Sequence, residues 1–287
     1  MTKKKKKKRT TIPPINATHT VQIIEAFIKT RVSEAGAEGV VIGISGGIDS
    51  AVVATLAVRS LGSEKVQALF LPSGSTPPSD LDDVKDLCSQ LGISLTIVDI
   101  QKIVDAFSES LDQNEKVSSL EWMNLKPRIR QSCWYFYANK LNYLVCGTGN
   151  KSELMIGYYT KYGDGAVDIL PIGDVYKTHV YQLGEYLKIP IKIQSKVPSA
   201  GLTVGQTDEE EIGMSYNRLD CILLGLERFQ SKEELANQLD IPLSDVKKVQ
   251  SMIYQSEHKR RGPIIFKLGV RTPKYDWRIP LVKPSDF

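Results

Sequence analysis

The segment Gly43-Ile-Ser-Gly-Gly-Ile-Asp-Ser50 gathers glycines, hydroxyls and one carboxylate where an apolar run meets a helical pattern. Paired glycines let a backbone approach a ligand closely. The N-terminus of the following helix would offer open N–H groups and partial positive charge to a phosphate. Gly43, Ile44, Ser45, Gly46, Gly47 and Ile48 would then form a phosphate cradle, with Ser45 and Ser50 adding hydroxyl donors. Asp49 would repel a bare phosphate, so its presence implies a bridging cation such as Mg2+. No Lys follows the glycines, which separates this loop from the GxxxxGK[ST] type. A strand-to-helix turn with Ser50 as N-cap is the plainer alternative, and it explains neither the glycine pair nor the acid.

A second cluster, Gly147-Thr-Gly-Asn-Lys-Ser-Glu153, also follows an apolar run, and Gly157-Tyr-Tyr-Thr-Lys-Tyr-Gly-Asp-Gly165, Asp168, Pro171 and Lys177 come after it. Pro198-Ser-Ala-Gly-Leu202 and Glu257-His-Lys-Arg260 complete the set. Acid, base and glycine are interleaved too densely here for plain connectors.

Strand patterns at 39–44, 66–71, 94–100 and 143–147 alternate with helical patterns at 21–36, up to about residue 60, at 80–91 and at 120–141. This alternation implies parallel βαβ units, hence an α/β fold: an open parallel sheet with helices on both faces, Rossmann-like. Such sheets bind ligands at the carboxyl ends of their strands, so the loops after Ile44, Leu71 and Cys146 should carry the site. Further on, 174–187 reads as a helix, 208–258 as three short helices, and the segment from Gly262 as a surface wrap.

The chain has 287 residues and a formal net charge of +4. Residues 3–9 are all basic, and without them the balance falls to about −3. Residues 1–14 therefore read as a disordered Lys-rich tail dispensable for chemistry, and 15–287 as a single domain. A hydrophobic share of 41% rules out wholesale disorder. No window is long and apolar enough for a membrane span, and no apolar stretch follows the basic run as a secretory leader requires. Cys88, Cys133, Cys146 and Cys221 contain no CxxC pair, which suggests reduced thiols in a cytoplasmic protein. The acidic body argues against nucleic acid as a partner despite the basic tail.

The first loop resembles the SGGxDS loop of the ATP pyrophosphatase superfamily, whose members split ATP between its α and β phosphates. With the later clusters, the array from about residue 20 to 280 is similar to that of the ammonia-dependent NAD synthetases. The resemblance implies an adenine nucleotide alpha hydrolase-like fold. It also implies ATP-dependent amidation of deamido-NAD (nicotinic acid adenine dinucleotide) to NAD through an adenylated carboxylate. Asp49 and Glu153 would hold Mg2+, while Thr148, Lys177 and Ser199 would join the glycine loop in binding ATP. Arg128, Lys161, Asp168, His258 and Lys259 would bind deamido-NAD. Asp164 would position ammonia or take its proton, acting catalytically beside Asp49 and Lys177, and the chain would form a homodimer.

Each role has a bland counterpart. Glu153 could be an exposed first-turn glutamate, Lys177 an ordinary helix lysine, and His258 a cap on a helix C-terminus. The run Asn150-Lys151-Ser152 departs from the commoner family pattern, so contacts from 149–152 do not transfer. The loop 72–78 lacks the Arg and Gln of some relatives, so it names no adenine-reading side chain. Cys133 lies in an apolar helical pattern, and too few residues precede the first helix for a glutaminase domain, so free ammonia is the expected donor. Two rival classes remain at this level: a tRNA-modifying ATP pyrophosphatase and an ATP-binding sensor.

Overall fold

The computed structural model describes residues 12–111, 119–199 and 207–277. Helix α1 (Ala17–Glu34) starts where the Asn16 side chain accepts from the His19 N–H, and it buries Val21, Ile24, Ile28 and Val32 at helical spacing. Strand β1 (Gly39–Gly43) is almost wholly buried. It leads through the glycine loop into α2 (Ile48–Leu61), whose first nine residues are buried save Asp49. Then follow β2 (Val66–Phe70), α3 (Pro78–Leu91), β3 (Ser94–Ile97), α4 (Gln101–Ser110), α5 (Ser119–Leu141) and β4 (Tyr143–Cys146). The four strands are parallel in the order β3-β2-β1-β4.

Alternation along the strands divides the core. Val40 and Ile42 face a layer containing Ile28, Leu56, Val180 and Leu183, whereas Val41, Leu69 and Val145 face Ile100, Ile129 and Ala138. Short helices follow the sheet: α6 (Lys151–Ile156), α7 (Lys177–Tyr186), α8 (Ile191–Gln194), α9 (Asp208–Ile212), α10 (Tyr216–Glu227), α11 (Lys232–Leu239), α12 (Leu243–Gln255) and α13 (Glu257–Arg260). A separate apolar cluster including Ile212, Leu219, Ile222, Leu235 and Val246 joins several of them. Beyond the β4 edge, Ile169 forms a parallel bridge with Cys146. Beside it the Asp168 carboxylate accepts from the Val145 N–H at 2.7 Å.

Several expectations shift. The third strand ends at Ile97 rather than residue 100, and α4 follows it unannounced, with Val104 as its buried residue. The region 208–258 holds most of five helices rather than three, because reciprocal capping pairs Thr207–Glu210 and Ser231–Glu234 start short ones. Helix α7 begins at Lys177, not at residue 174. The end of the expected tail is packed: Ile12 is buried in the C-terminal cluster, and the Pro13 carbonyl lies 2.8 Å from His179 Nε2. Residues 1–11 lie outside the described ones. Of the segment after Gly262, Ile264, Phe266, Leu268 and Val270 stand exposed and Thr272 is buried, while 278–287 lie outside the described residues. Among the described residues, no helix is long and apolar enough to cross a membrane.

Candidate active site

The loop after β1 is shaped by what surrounds it. A Cβ on Gly43 would lie 2.7 Å from Trp134, so a side chain there would push α5 off the strand. Gly46 takes a left-handed φ of 81°. Ser50 is not the N-cap. Its hydroxyl donates to the Gly47 carbonyl at 2.9 Å and accepts from the Ser45 N–H at 3.2 Å, folding the loop onto itself. Gly47 starts α2 with no side chain capping it, which leaves that helix end available to an anion. Ile44 and Ile48 are buried and anchor the loop on both sides.

Lys177 brings the two distant carboxylates together. Its ammonium pairs with Asp49 Oδ2 and lies 3.8 Å from Glu153 Oε1, with only 3% of the side chain exposed. It is therefore not a solvated helix lysine. Burial alone would lower its pKa, but the Asp49 and Glu153 charges outweigh burial and raise it. Burial, followed by the Asp49 charge, pushes the Glu153 carboxyl up, so this pair of acids gains from a nearby cation.

Asn150, whose contacts could not be carried over from relatives, completes the arrangement. It is fully buried. Its Nδ2 donates to Asp49 Oδ1 at 3.0 Å, its Oδ1 accepts from the Glu153 N–H at 3.1 Å, and its own N–H donates to Glu153 Oε2 at 3.2 Å. One residue thus caps α6 and orients both acids. Lys177 is held from behind by Ser152, whose hydroxyl accepts from the Lys177 N–H at 2.9 Å and donates to Asp220 at 2.5 Å. Asp220 also accepts from the Thr178 N–H at 2.9 Å.

The loop 158–165 borders this centre. Arg128, exposed on α5, donates from Nε to the Lys161 carbonyl at 3.3 Å. The Lys161 ammonium stands 5.2 Å over the Tyr162 ring. Asp164 accepts from the Thr160 N–H at 2.8 Å. It remains open to solvent, yet crowding by protein atoms raises its pKa, against the Thr160 N–H and the Lys259 and Arg130 charges. Lys259 donates to the carbonyls of Gly157 at 2.6 Å and Tyr159 at 2.7 Å, so it fastens the loop's start. Asp168 accepts from Val145 and from the Tyr135 hydroxyl at 3.0 Å. His258 is exposed in the final turn of α13. Thr148 is half-buried beside the second glycine cluster, and Ser199 is exposed at the end of a described segment.

Sequence reasoning missed other residues. Lys196 places its ammonium 3.2 Å from where a Gly46 Cβ would stand, and Asp80 and Asp83 hold it at 2.7 and 2.5 Å. Arg260 ties α13 to the Leu154 and Met155 carbonyls at 3.0 and 2.8 Å. Tyr216 carries the Lys177 ammonium 5.3 Å over its ring. Arg260 lies in a cluster the sequence singles out, but none of these contacts is announced by a short motif, because each joins segments far apart in the chain.

A glycine phosphate loop and a lysine-bridged acid pair at the carboxyl edge of a parallel sheet define an α/β enzyme that acts on nucleotide phosphates. A family model described as NAD synthase matches residues 20–263. The NH(3)-dependent NAD(+) synthetase of Methanosarcina acetivorans is 47% identical over 84% of this chain and 94% of its own length. That of Archaeoglobus fulgidus is 47% identical over 87% and 96%. Among solved structures, NMN synthetase from Francisella tularensis superposes with a TM-score of 0.79 at 34% identity, covering 88% of this chain and all of that one. An NH3-dependent NAD synthetase from Campylobacter jejuni reaches 0.75 at 33%, with the same coverage. The chain belongs to the NAD synthase family, ligases that form a C–N bond.

Proposed function

We propose that this chain amidates deamido-NAD to NAD, using ammonia and splitting ATP into AMP and pyrophosphate. A carboxylate is a poor electrophile, because it is negatively charged and has no good leaving group. Adenylation supplies one: a carboxylate oxygen bonds to the α-phosphorus while the bond to the β-phosphate breaks and pyrophosphate leaves. Ammonia then adds to the acyl carbon, AMP departs, and the nitrogen gives up a proton. The observation that carries this reading is the Lys177 ammonium between Asp49 and Glu153 beside an uncapped helix N-terminus.

In this reading residues 43–50 seat the ATP phosphates, with Thr148 and Ser199 contributing hydroxyls. Lys177 stabilises negative charge developing on the phosphates. The oxygen-only donor pair Asp49 and Glu153 fits Mg2+, which commonly takes one or two carboxylates and completes its shell with phosphates and water. When bound, Mg2+ would neutralise the polyphosphate and ease departure of pyrophosphate. Arg128, Lys161, Asp168, His258 and Lys259 form the deamido-NAD side, Lys259 and Asp168 by holding the loop and strand on which it rests. Asp164 orients ammonia or accepts its proton.

A second copy is the partner we assign to the outer face of α5. That face carries an open cavity of about 570 Å³, lined by Phe107, Leu120, Trp122, Leu125 and Ile129 and reaching Arg128. Light scattering should return the mass of a dimer, and a monomer at micromolar concentration would exclude it. The four free cysteines suit a cytoplasmic setting.

The decisive assay supplies purified protein with ATP, Mg2+ and deamido-NAD, then compares ammonium with glutamine. NAD formation with ammonium and none with glutamine is expected, and glutamine-driven turnover by the chain alone would overturn the choice of donor. Nicotinic acid mononucleotide belongs in the same assay, given the likeness to an NMN synthetase. A higher kcat/KM for the mononucleotide than for deamido-NAD would reassign the substrate.

A further inference from the structure

Arg130 lies two residues beyond Arg128 on α5, a rotation of roughly 200° that turns it from the exposed face toward the sheet. Its Nε donates at 3.0 Å to the carbonyl of Leu71, the first residue after β2. One helical turn earlier, Lys126 donates to Ser75 at 3.1 Å, on the same loop. Two cations from one helix therefore face the carboxyl end of one strand. Desolvation by burial lowers the pKa of both, and the Arg130 charge lowers that of Lys126 further. The acid that partly offsets this at Arg130 is Asp164, on the loop 158–165.

No carboxylate forms an ion pair with Arg130 among the described residues, and its two terminal nitrogens have no protein acceptor among them. These nitrogens are not sealed in either. A half-buried cation with no acid partner is costly to keep in a fold. Its planar fork suits a carboxylate or phosphate, and here one edge is anchored while the other is open. The location adds direction: β2 neighbours β1, so Leu71 ends beside the phosphate loop, and Asp164 lies near enough for its charge to act on Arg130.

We propose that Arg130 is a further substrate-binding residue, whose fork takes an anionic oxygen at the point where the substrate carboxylate and the ATP α-phosphate are joined. This rests on the amidation reaction assigned above. That reaction is tested separately by ammonium-supported turnover of the wild-type chain, so failure of one leaves the other standing.

The experiment compares wild type with Arg130→Gln and Arg130→Lys, measuring kcat/KM for each substrate, binding of ATP, deamido-NAD and NAD one at a time, and melting temperature. Loss of the fork should lower kcat/KM about a hundredfold in Arg130→Gln, as removal of an oxyanion donor does. Arg130→Lys should recover only part, because an ammonium cannot make the paired contact. NAD carries an amide where deamido-NAD carries the carboxylate, and this separates the two sources of the anion. If the carboxylate is the ligand, wild type prefers deamido-NAD over NAD and the variants lose that preference. If the α-phosphate is the ligand, ATP binding weakens and the preference stays. Affinities and kcat/KM within about threefold of wild type for both substrates would overturn the assignment. So would a lower melting temperature with unchanged affinities, which would make Arg130 a staple between α5 and β2. Should Arg130→Gln fail to fold, Arg130→Lys decides by the same criteria.

Discussion

Replacing Asn150 tests how the acid pair is held. Asn150→Ala removes the cap on α6, costing about 1 kcal/mol, and the donor to the charged Asp49, costing about 1.5–3 kcal/mol. Both bonds are made by a fully buried side chain, with donor–acceptor distances of 3.1 and 3.0 Å, so neither is easily replaced by water. The combined loss of about 3 kcal/mol should lower the melting temperature by about 6–12 °C. Asn150→Asp separates the two effects: the new carboxylate still accepts from the Glu153 N–H, but it cannot donate to Asp49 and adds a third negative charge. Without Mg2+ it should be destabilised at least as much. Titrating Mg2+ should then recover more stability than in wild type, since three carboxylates attract the cation more strongly than two. Melting curves at a series of Mg2+ concentrations read both numbers. If Asn150→Ala melts within about 1 °C of wild type, or Mg2+ shifts Asn150→Asp no more than wild type, Asn150 does not hold the acids as argued.

Lys177→Met leaves the half-buried Asp49 and Glu153 without a cation, so a stability loss of up to about 3–5 kcal/mol is expected, with turnover down at least about a hundredfold. Denaturant melts and steady-state rates check both, and a variant as active as wild type refutes the role. Gly157→Ala forces a side chain into a φ of 71° and 2.1 Å from the Ser256 Cβ, and should cost more than about 1–2 kcal/mol while raising KM for deamido-NAD. Unchanged KM would detach that loop from substrate binding. The Asp83 carboxyl is held below its usual value of 3.8 by Lys196 and Lys192. Its contribution to stability is complete above that pH and is lost as pH falls through the lower folded value. Asp83→Asn should therefore flatten the acid limb of a stability–pH curve below about pH 4, and an identical slope would count against the ion pair.

The β1–loop–α2 unit was legible because its signals are local: an apolar run, a glycine pair and an immediate helical pattern within a dozen residues. The parallel sheet followed from alternation of such units, and its strand starts agree with the patterns. Helix α4 escaped although Ile100, Val104 and Phe107 recur at helical spacing, because it follows β3 directly and its first apolar residue reads as the end of the strand. The expected site residues could be named from the sequence as types, and their contacts could not. Lys177 and Asp49 meet across 128 positions, and Asp220 sits fully buried in an otherwise apolar helix stretch, where nothing local marks it as the support of Lys177. Lys259 and Asp168, expected on the substrate, bond the protein's own backbone. Such roles depend on which segments the fold brings together, and no spacing rule encodes that.

The bridge between Ile169 and Cys146 has a consequence beyond the site. β4 ends the sheet, and an open strand edge invites a strand from another molecule to pair with it. Here Asp168 takes the Val145 N–H, and the Ile169 carbonyl takes the Gly147 N–H at 2.9 Å, so two of the donors that would template such pairing are already engaged. The segment that follows the loop 158–165 thus also covers part of the sheet's border, where an uncovered edge would favour aggregation. A mutation that loosens it should be visible as turbidity on heating as well as lost turnover.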